Sequence, residues 1–308
     1  VQRPSTTITI PQMSIRVTSL PDAEPRERRV AIGTFDGVHV GHRAVIGEAD
    51  TVLTFEPHPL QVIHPEAAPK LIMPFPVKRD VIDGLGVEEL VVIHFDREFA
   101  SIDPVEFCEE ILIGRLGATR VSVGENFRFG ARAKGTPELL ASRPEFETEV
   151  VPLVEVDGET VSSTRIRALV LAGEVADAAR CLGAPFMVEG EVTGGDRRGR
   201  TLGYPTANLV PDDRLVRPGH GVYAAFANGR PAAVNVGVRP TFDTGRGLLI
   251  ETHIIDHDED LYGTTLRVAF ARRLRGERRF SGVEELVAQM QRDVEEARQV
   301  CASFSRPR

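Results

Sequence analysis

The chain has 308 residues, with 42% hydrophobic and 27% charged side chains, a composition ordinary for a soluble globular protein of about two domains. Its formal net charge of −8 argues against coating nucleic acid or settling on an anionic membrane, while leaving room for a local basic pocket. No apolar run reaches transmembrane length and no secretory leader is apparent; Cys108, Cys181 and Cys301 form neither a zinc spacing nor a disulfide framework, so a reducing cytoplasm is the natural setting.

Residues 1–12 are polar and rich in Thr and Pro, whereas Met13 opens a more regular segment, Met13–Val17. Met13 therefore reads as a biological start, with residues 1–12 as an upstream extension and 1–28 as a lead-in. Val30-Ala31-Ile32 is a strand-like stub that runs into Gly33-Thr34-Phe35-Asp36-Gly37-Val38-His39-Val40-Gly41-His42. Glycines let a backbone approach a ligand and adopt positive φ. The stretch after His42, about Arg43–Ala49, can start a helix whose free N–H groups favour an anion. Glycine turn, two imidazoles and helix start together point to nucleotide phosphates held during transfer. Two other readings stand beside this one. A metal pair would need further His, Cys or carboxylate ligands, and none is obvious nearby; a purely structural turn would use both histidines as caps.

Thr51–Phe55, Glu89–His94 and Arg120–Val123 are further β-rich runs, alternating with helical spacing over Val77–Leu85 and Pro104–Leu116. Such alternation predicts a parallel sheet covered on both faces, with ligands beyond the carboxyl ends of its strands. Gly33–His42, Glu56-Pro57-His58-Pro59 and Gly124–Gly130 follow three such strands and are expected to converge on one crevice.

Ser162-Ser163-Thr164-Arg165-Ile166-Arg167 leads a helix to about Leu171, broken at Gly173; a second helix, Val175–Leu182, ends at Gly183. Hydroxyls, helix-start N–H groups and two guanidiniums suit pyrophosphate, although Ser at a helix start is ordinarily an N-cap. The pattern changes after Ala184-Pro185, which marks the expected domain boundary. From Phe186 to about Leu274 the chain is strand-rich, with a hairpin signal at Ala227-Asn228-Gly229-Arg230, and predicts a small antiparallel barrel.

Within that region a Gly/Arg segment, Gly194–Gly203, enters Tyr204-Pro205-Thr206-Ala207-Asn208. Thr206 and Asn208 share a face if extended, and two neutral oxygens can complete a Mg2+ shell made mostly of phosphate and water; the plain alternative is an ordinary strand entry. His253, His257 and the acidic run Asp256–Asp260 read as a surface loop with no assigned role. At the end, Ser281 with Glu284 looks like a capping box. It opens a helix with a stripe of Val283, Leu286, Val287, Met290, Val294, Ala297 and Cys301, expected to pack on the barrel.

Gly33–His42 together with Ser163–Arg167 resembles the His-x-Gly-His nucleotidyltransferases. With Thr54–Pro59 and Gly124–Gly130 added, the chain is more similar still to the adenylyltransferase module of prokaryotic bifunctional riboflavin kinase/FAD synthetases. Gly203–Asn208, Gly221-Val222-Tyr223-Ala224, Asn235–Phe242, Glu251-Thr252-His253 and Leu261-Tyr262-Gly263 follow in the order seen in riboflavin kinases, so the resemblance runs from about Val30 to the C-terminal helix.

The resemblance implies an α/β, Rossmann-like nucleotidyltransferase domain over 29–183. A small antiparallel β-barrel riboflavin kinase domain with a C-terminal helix follows over 184–308. The implied reactions are riboflavin + ATP → FMN + ADP, then FMN + ATP → FAD + pyrophosphate, with Mg2+ as cofactor. Glu251 would act as base on the riboflavin alcohol, with Thr206 and Asn208 on the metal. His39 and His42 would stabilise adenylyl transfer. Gly33, Phe35, Gly41, Ser163, Thr164, Arg165, Arg167, Gly195 and Arg200 would serve ATP and its phosphates, and His58, Asn126, Arg128 and Arg239 the flavin loops. The partners implied are riboflavin, FMN, FAD and ATP, without nucleic acid or membrane, and with a homo-oligomer left open. One departure stands out: eight residues separate His42 from Thr51, giving a first helix of about two turns where the family usually has a longer one. Two rival readings follow, a kinase with a degenerate first domain and a non-catalytic flavin-binding regulator.

Overall fold

The computed structural model describes residues 15–193, 204–239, 247–257 and 261–304. The chain divides into two compact units: Val1–Thr34, His42–Ala68 and Pro76–Pro152 form the first, and Phe35–Gly41, Pro69–Phe75 and Leu153–Arg308 the second.

The first unit is built on a six-stranded sheet in the order β1-β4-β3-β2-β5-β6, parallel at every pairing. Its strands are β1 (Arg16–Ser19), β2 (Arg28–Ile32), β3 (Thr51–Glu56), β4 (Glu89–His94), β5 (Ala118–Gly124) and β6 (Glu147–Val151). The four inner strands are the runs expected from their apolar residues. The edges β1 and β6 escape that reading because they are largely exposed and lack the continuous apolar run of a strand buried on both faces. The chain passes from β2 outward through β3 to β4, then crosses to β5 on the other side of β2. That reversal puts the topological switch point at the carboxyl ends of β2 and β5.

Pro104–Leu116 differs from the expected α-helix. One α turn, Pro104–Glu106, continues as a π-helix, Phe107–Arg115, with Leu116 N donating to Ile111 O at 2.9 Å. The wider turn buries Phe107, Cys108, Ile111 and Leu112 together. The first helix, α1, spans Val40–Ile46, so it begins before His42 rather than after it and is seven residues long.

The second unit holds a short antiparallel pair, β7 (Glu155–Val156) and β8 (Glu159–Thr160), and a closed antiparallel barrel in the order β10-β13-β12-β11-β14-β9. Its strands are β9 (Phe186–Thr193), β10 (Ala207–Leu209), β11 (Gly221–Ala227), β12 (Arg230–Arg239), β13 (Gly247–Ile254) and β14 (Thr265–Arg275). Ala227 pairs with Arg230 across a two-residue turn in which Asn228 and Gly229 have φ of 45° and 81°, the mirror-image turn that matches strand twist. The expected helices are present as Ser163–Ala172 and Val175–Leu182, closed by left-handed Gly173 and Gly183. Their Ile166, Val170, Val175 and Leu182 share one core with Phe186, Tyr223 and Phe270 of the barrel.

The C-terminal helix, Val283–Phe304, buries Ala297, Val300 and Cys301 against Ala224, Ala233 and Ala271. Two details correct the sequence reading. Because the helix starts at Val283, the carboxylate that closes its first turn is Glu285, not Glu284: Ser281 N and Oγ donate to Glu285 Oε2 at 3.0 and 2.8 Å. Val283 itself, first in the expected stripe, is 62% exposed.

Candidate functional site

In the first unit, the loops carrying Gly33, His58 and Asn126 leave the carboxyl ends of the adjacent strands β2, β3 and β5. Gly33 N donates to Leu53 O at 3.1 Å, which holds the start of the glycine turn against β3. His58 caps a short helix, Pro59–Ile63, its Nδ1 accepting from Leu60 N at 3.2 Å. Asn126 and Arg128 are exposed, while Phe129 is buried behind them and Phe127 stacks on it at 5.6 Å. Lys78, absent from the sequence reading, is buried here; its Nζ lies 3.3 Å from Thr34 O and 3.7 Å from Glu56. His42 is half-buried in the first turn of α1.

In the second unit, the segment Phe35–Gly41 is tightly determined. Phe35, Gly37 and Val38 have φ of 49°, 91° and 40°, and Phe35 and Val38 are buried. Two non-glycine residues in the left-handed region persist only where surroundings over-determine them. Asp36 supplies much of that determination: its Oδ1 accepts from Ile72 N at 2.8 Å, its Oδ2 from Arg167 at 2.5 Å, and its carbonyl from Ser163 Oγ at 3.0 Å. Arg167 also donates to Lys70 O at 2.6 Å. A Cβ on Gly41 would stand 3.2 Å from the His39 ring, so the glycine leaves room for the imidazole. His39 is buried, and burial, aided by the nearby charge of Arg167, lowers its pKa to about 4.

The segment Ser162–Arg167 divides its work. Ser162 is the N-cap, accepting from Arg165 N at 3.2 Å. Thr164 is exposed, and Arg165 is tied to Glu159 at 3.0 Å and to the carbonyls of Val156 and Glu159. Both arginines are therefore already bonded to protein groups.

In the barrel, β13 lies between β10 and β12, and Glu251 stands opposite Asn208 on one side and Asn235 on the other. Directly opposed residues share a face, and Asn235 Nδ2 donates to Glu251 Oε2 at 3.1 Å. This face opens on a cavity of about 690 Å³. Tyr204, Thr206, Asn235, Glu251 and His253 line it on the barrel side, and Phe280, Leu286, Met290 and Val294 on the other. Arg275 holds the wall in place through a two-pronged pair with Asp293, at 3.0 and 2.7 Å. A cavity of this size, lined by apolar and polar groups together, suits a cofactor-sized ligand.

Among the described residues no His, Cys, Asp and Glu side chains gather as an all-protein metal cage. Asn208 Oδ1, however, is buried and has no hydrogen-bond partner among the described residues. Leaving such an atom unsatisfied costs about 1–3 kcal/mol. A hard divalent cation with phosphate and water in its shell would satisfy it, so the residues present fit one.

Two family models match the chain: FAD synthetase over residues 22–165 and riboflavin kinase over residues 182–301. A Bacillus subtilis bifunctional riboflavin kinase/FMN adenylyltransferase is 37% identical over 288 residues, covering 87% of this chain and 90% of that protein. The chain belongs to the bifunctional riboflavin kinase/FMN adenylyltransferase family. Its Escherichia coli K12 member is 35% identical over 288 residues, covering 88% of this chain and 91% of its own length. A Streptococcus pneumoniae crystal structure described as a macrolide-efflux protein superposes with a TM-score of 0.83 at 34% identity, covering 92% of this chain and 99% of that one. No helix among the described residues is long and apolar enough to cross a membrane. Of the site residues expected for this family, Gly195 and Arg200 lie outside the described residues, and Arg239 is described only by its backbone, at the end of β12 opposite Gly247.

Proposed function

We propose that the barrel phosphorylates riboflavin with ATP and that the Gly33–His42 region adenylylates the resulting FMN, within a kinase domain over 184–308 and an adenylyltransferase domain over 29–183. The observation that carries the reading is the row Asn208–Glu251–Asn235, of which Glu251 and Asn235, with Thr206, line a flavin-sized cavity. An alcohol is a poor nucleophile until it loses its proton. Glu251 takes that proton, with Asn235 fixing one carboxylate oxygen and leaving the other for the substrate. The apolar wall of Leu286, Met290 and Val294 receives the flavin ring. Thr206 and Asn208 hold Mg2+, which when bound neutralises charge on the transferring phosphoryl group. Arg239, Gly195 and Arg200 join the flavin and ATP contacts by resemblance to the family.

The adenylyl step needs no strong base, because the attacking FMN phosphate is already an anion; alignment and charge neutralisation suffice. His39, whose pKa burial lowers to about 4, and His42 stabilise the developing charge of adenylyl transfer. Thr164 contributes its hydroxyl to the phosphates and Ser163, whose hydroxyl holds the Asp36 carbonyl, its backbone N–H at the helix start; Gly33 and Gly41 allow close backbone approach. Phe35, Arg165 and Arg167 serve from behind, by holding the loop and helix start rather than by direct contact. His58, Asn126 and Arg128 border the flavin. Three free, buried cysteines support a cytoplasmic setting. With both family regions present and the histidine pair intact, the kinase-only and regulator readings lose their ground.

Incubation of the purified protein with riboflavin, ATP and Mg2+ is expected to yield FMN and then FAD by chromatography; absence of FAD would remove the adenylyl step. Glu251→Gln should cut FMN formation by roughly a hundredfold or more while FAD formation from supplied FMN continues. An unchanged kinase rate in E251Q would remove the base assignment.

A further inference from the structure

His253 lies two residues beyond Glu251 on β13 and has no part in the reactions as described so far. The backbone ladder between β10 and β13 pairs Leu209 with Ile250, Asn208 with Glu251 and Ala207 with Thr252, and then stops. The next rung would set His253 against Thr206. In its place the His253 side chain reaches one residue further, with Nδ1 2.9 Å from the carbonyl oxygen of Pro205. A ring nitrogen facing a carbonyl at that distance carries the proton and donates. The edge of the imidazole also meets Tyr204, with ring centroids 5.4 Å apart at 73°. Thr206 is thus held on both sides, by the ladder at Ala207 and by the imidazole at Pro205.

We propose that His253 is a positioning residue for the kinase step: by fixing the Pro205 carbonyl it sets Thr206 and Asn208 beside Glu251 as neutral cation ligands. The inference rests on the reading of Thr206 and Asn208 as that shell. Its physical content is pre-organisation. Thr206 stands just ahead of β10, where no ladder bond restrains it, and one side-chain bond from the neighbouring strand replaces the missing rung. Groups that orient metal ligands from behind typically influence affinity or activity 10–100-fold, as an order of magnitude.

The test uses the intact chain and two substitutions. H253L keeps bulk and removes the donor; H253N places an amide N–H near the position of Nδ1. Calorimetric titration with ADP, with and without Mg2+, reads the shell directly, and riboflavin phosphorylation as a function of Mg2+ reads it in turnover. H253L is expected to weaken Mg2+-dependent ADP binding and to raise the Mg2+ needed for half-maximal rate, each about tenfold. Metal-free ADP binding should stay within about twofold of wild type, and H253N should recover most of the loss. FAD formation from FMN reports that the chain is folded, and H253A serves for the same titrations if H253L loses that activity as well. Unchanged Mg2+ dependence in H253L beside a defective N208A would overturn the positioning role, as would equal impairment in H253N and H253L. If N208A also leaves Mg2+ dependence unchanged, the shell assignment itself fails and the proposal falls with it.

Discussion

His39 shows how one buried side chain ties stability to pH. Its pKa is about 4 in the folded protein against 6.5 for an unperturbed imidazole. Between those values the unfolded chain binds more protons, so this contribution is intact above pH 6.5 and is lost as pH falls toward 4. From pH 7.5 to pH 5 the loss is about 2 kcal/mol. Urea denaturation at the two pH values should show a shallower decline for His39→Gln than for wild type by about that amount; equal declines would mean His39 is not held neutral. At this scale the sequence was only partly legible. Glu251 and the histidine pair stand out through the family motifs around them. Asp36 does not, because its decisive partner, Arg167, lies 131 positions away. Nor does His253, whose role depends on a carbonyl reached across a strand end, where spacing carries no signal.

The loop Phe35–Gly41 is the element in which conformation and chemistry are most closely joined. Gly37 combines φ of +91° with a position where a Cβ would stand 2.9 Å from Ile72 Cδ1. Gly86 has a similar φ of +83° but nothing within 4 Å of the same point. Gly86→Ala should therefore cost only the backbone penalty, about 1–2 kcal/mol. Gly37→Ala adds displacement of a buried side chain, a further ~1–3 kcal/mol, and disturbs His39 two residues on. Thermal or urea unfolding ranks the pair, and FAD formation should fall only in G37A. Equal destabilisation would show that Ile72 yields without resistance. Most elements were legible because apolar periodicity is a local property. The departures have local causes as well: exposed edge strands lack the pattern, a π-helix satisfies helical spacing while widening the turn, and the start of α1 depends on backbone geometry that composition does not encode.

At the scale of the molecule, the proposed assignment gives two chemistries two kinds of machinery, a carboxylate for an alcohol nucleophile and imidazoles for an anionic one. They should separate genetically. His42→Asn is expected to accumulate FMN and make little FAD, whereas E251Q should make FAD only from supplied FMN; a variant at either site that stops both steps equally would contradict two independent centres. Fold class was legible because strand–helix alternation gives way to strands alone near Ala184. Ser163–Ala172 and Val175–Leu182 read in sequence as the last helices of the α/β series, and their apolar residues share the core of the barrel.

The C-terminal helix supplies Leu286, Met290 and Val294 to the cavity that faces Glu251. These residues leave the ribosome after every strand of the barrel. The wall that closes this cavity is thus among the last features to exist in a nascent chain. A message cut short anywhere behind β14 would encode Glu251 and every residue of the Gly33–His42 loop, but not the Leu286, Met290 and Val294 wall opposite that carboxylate.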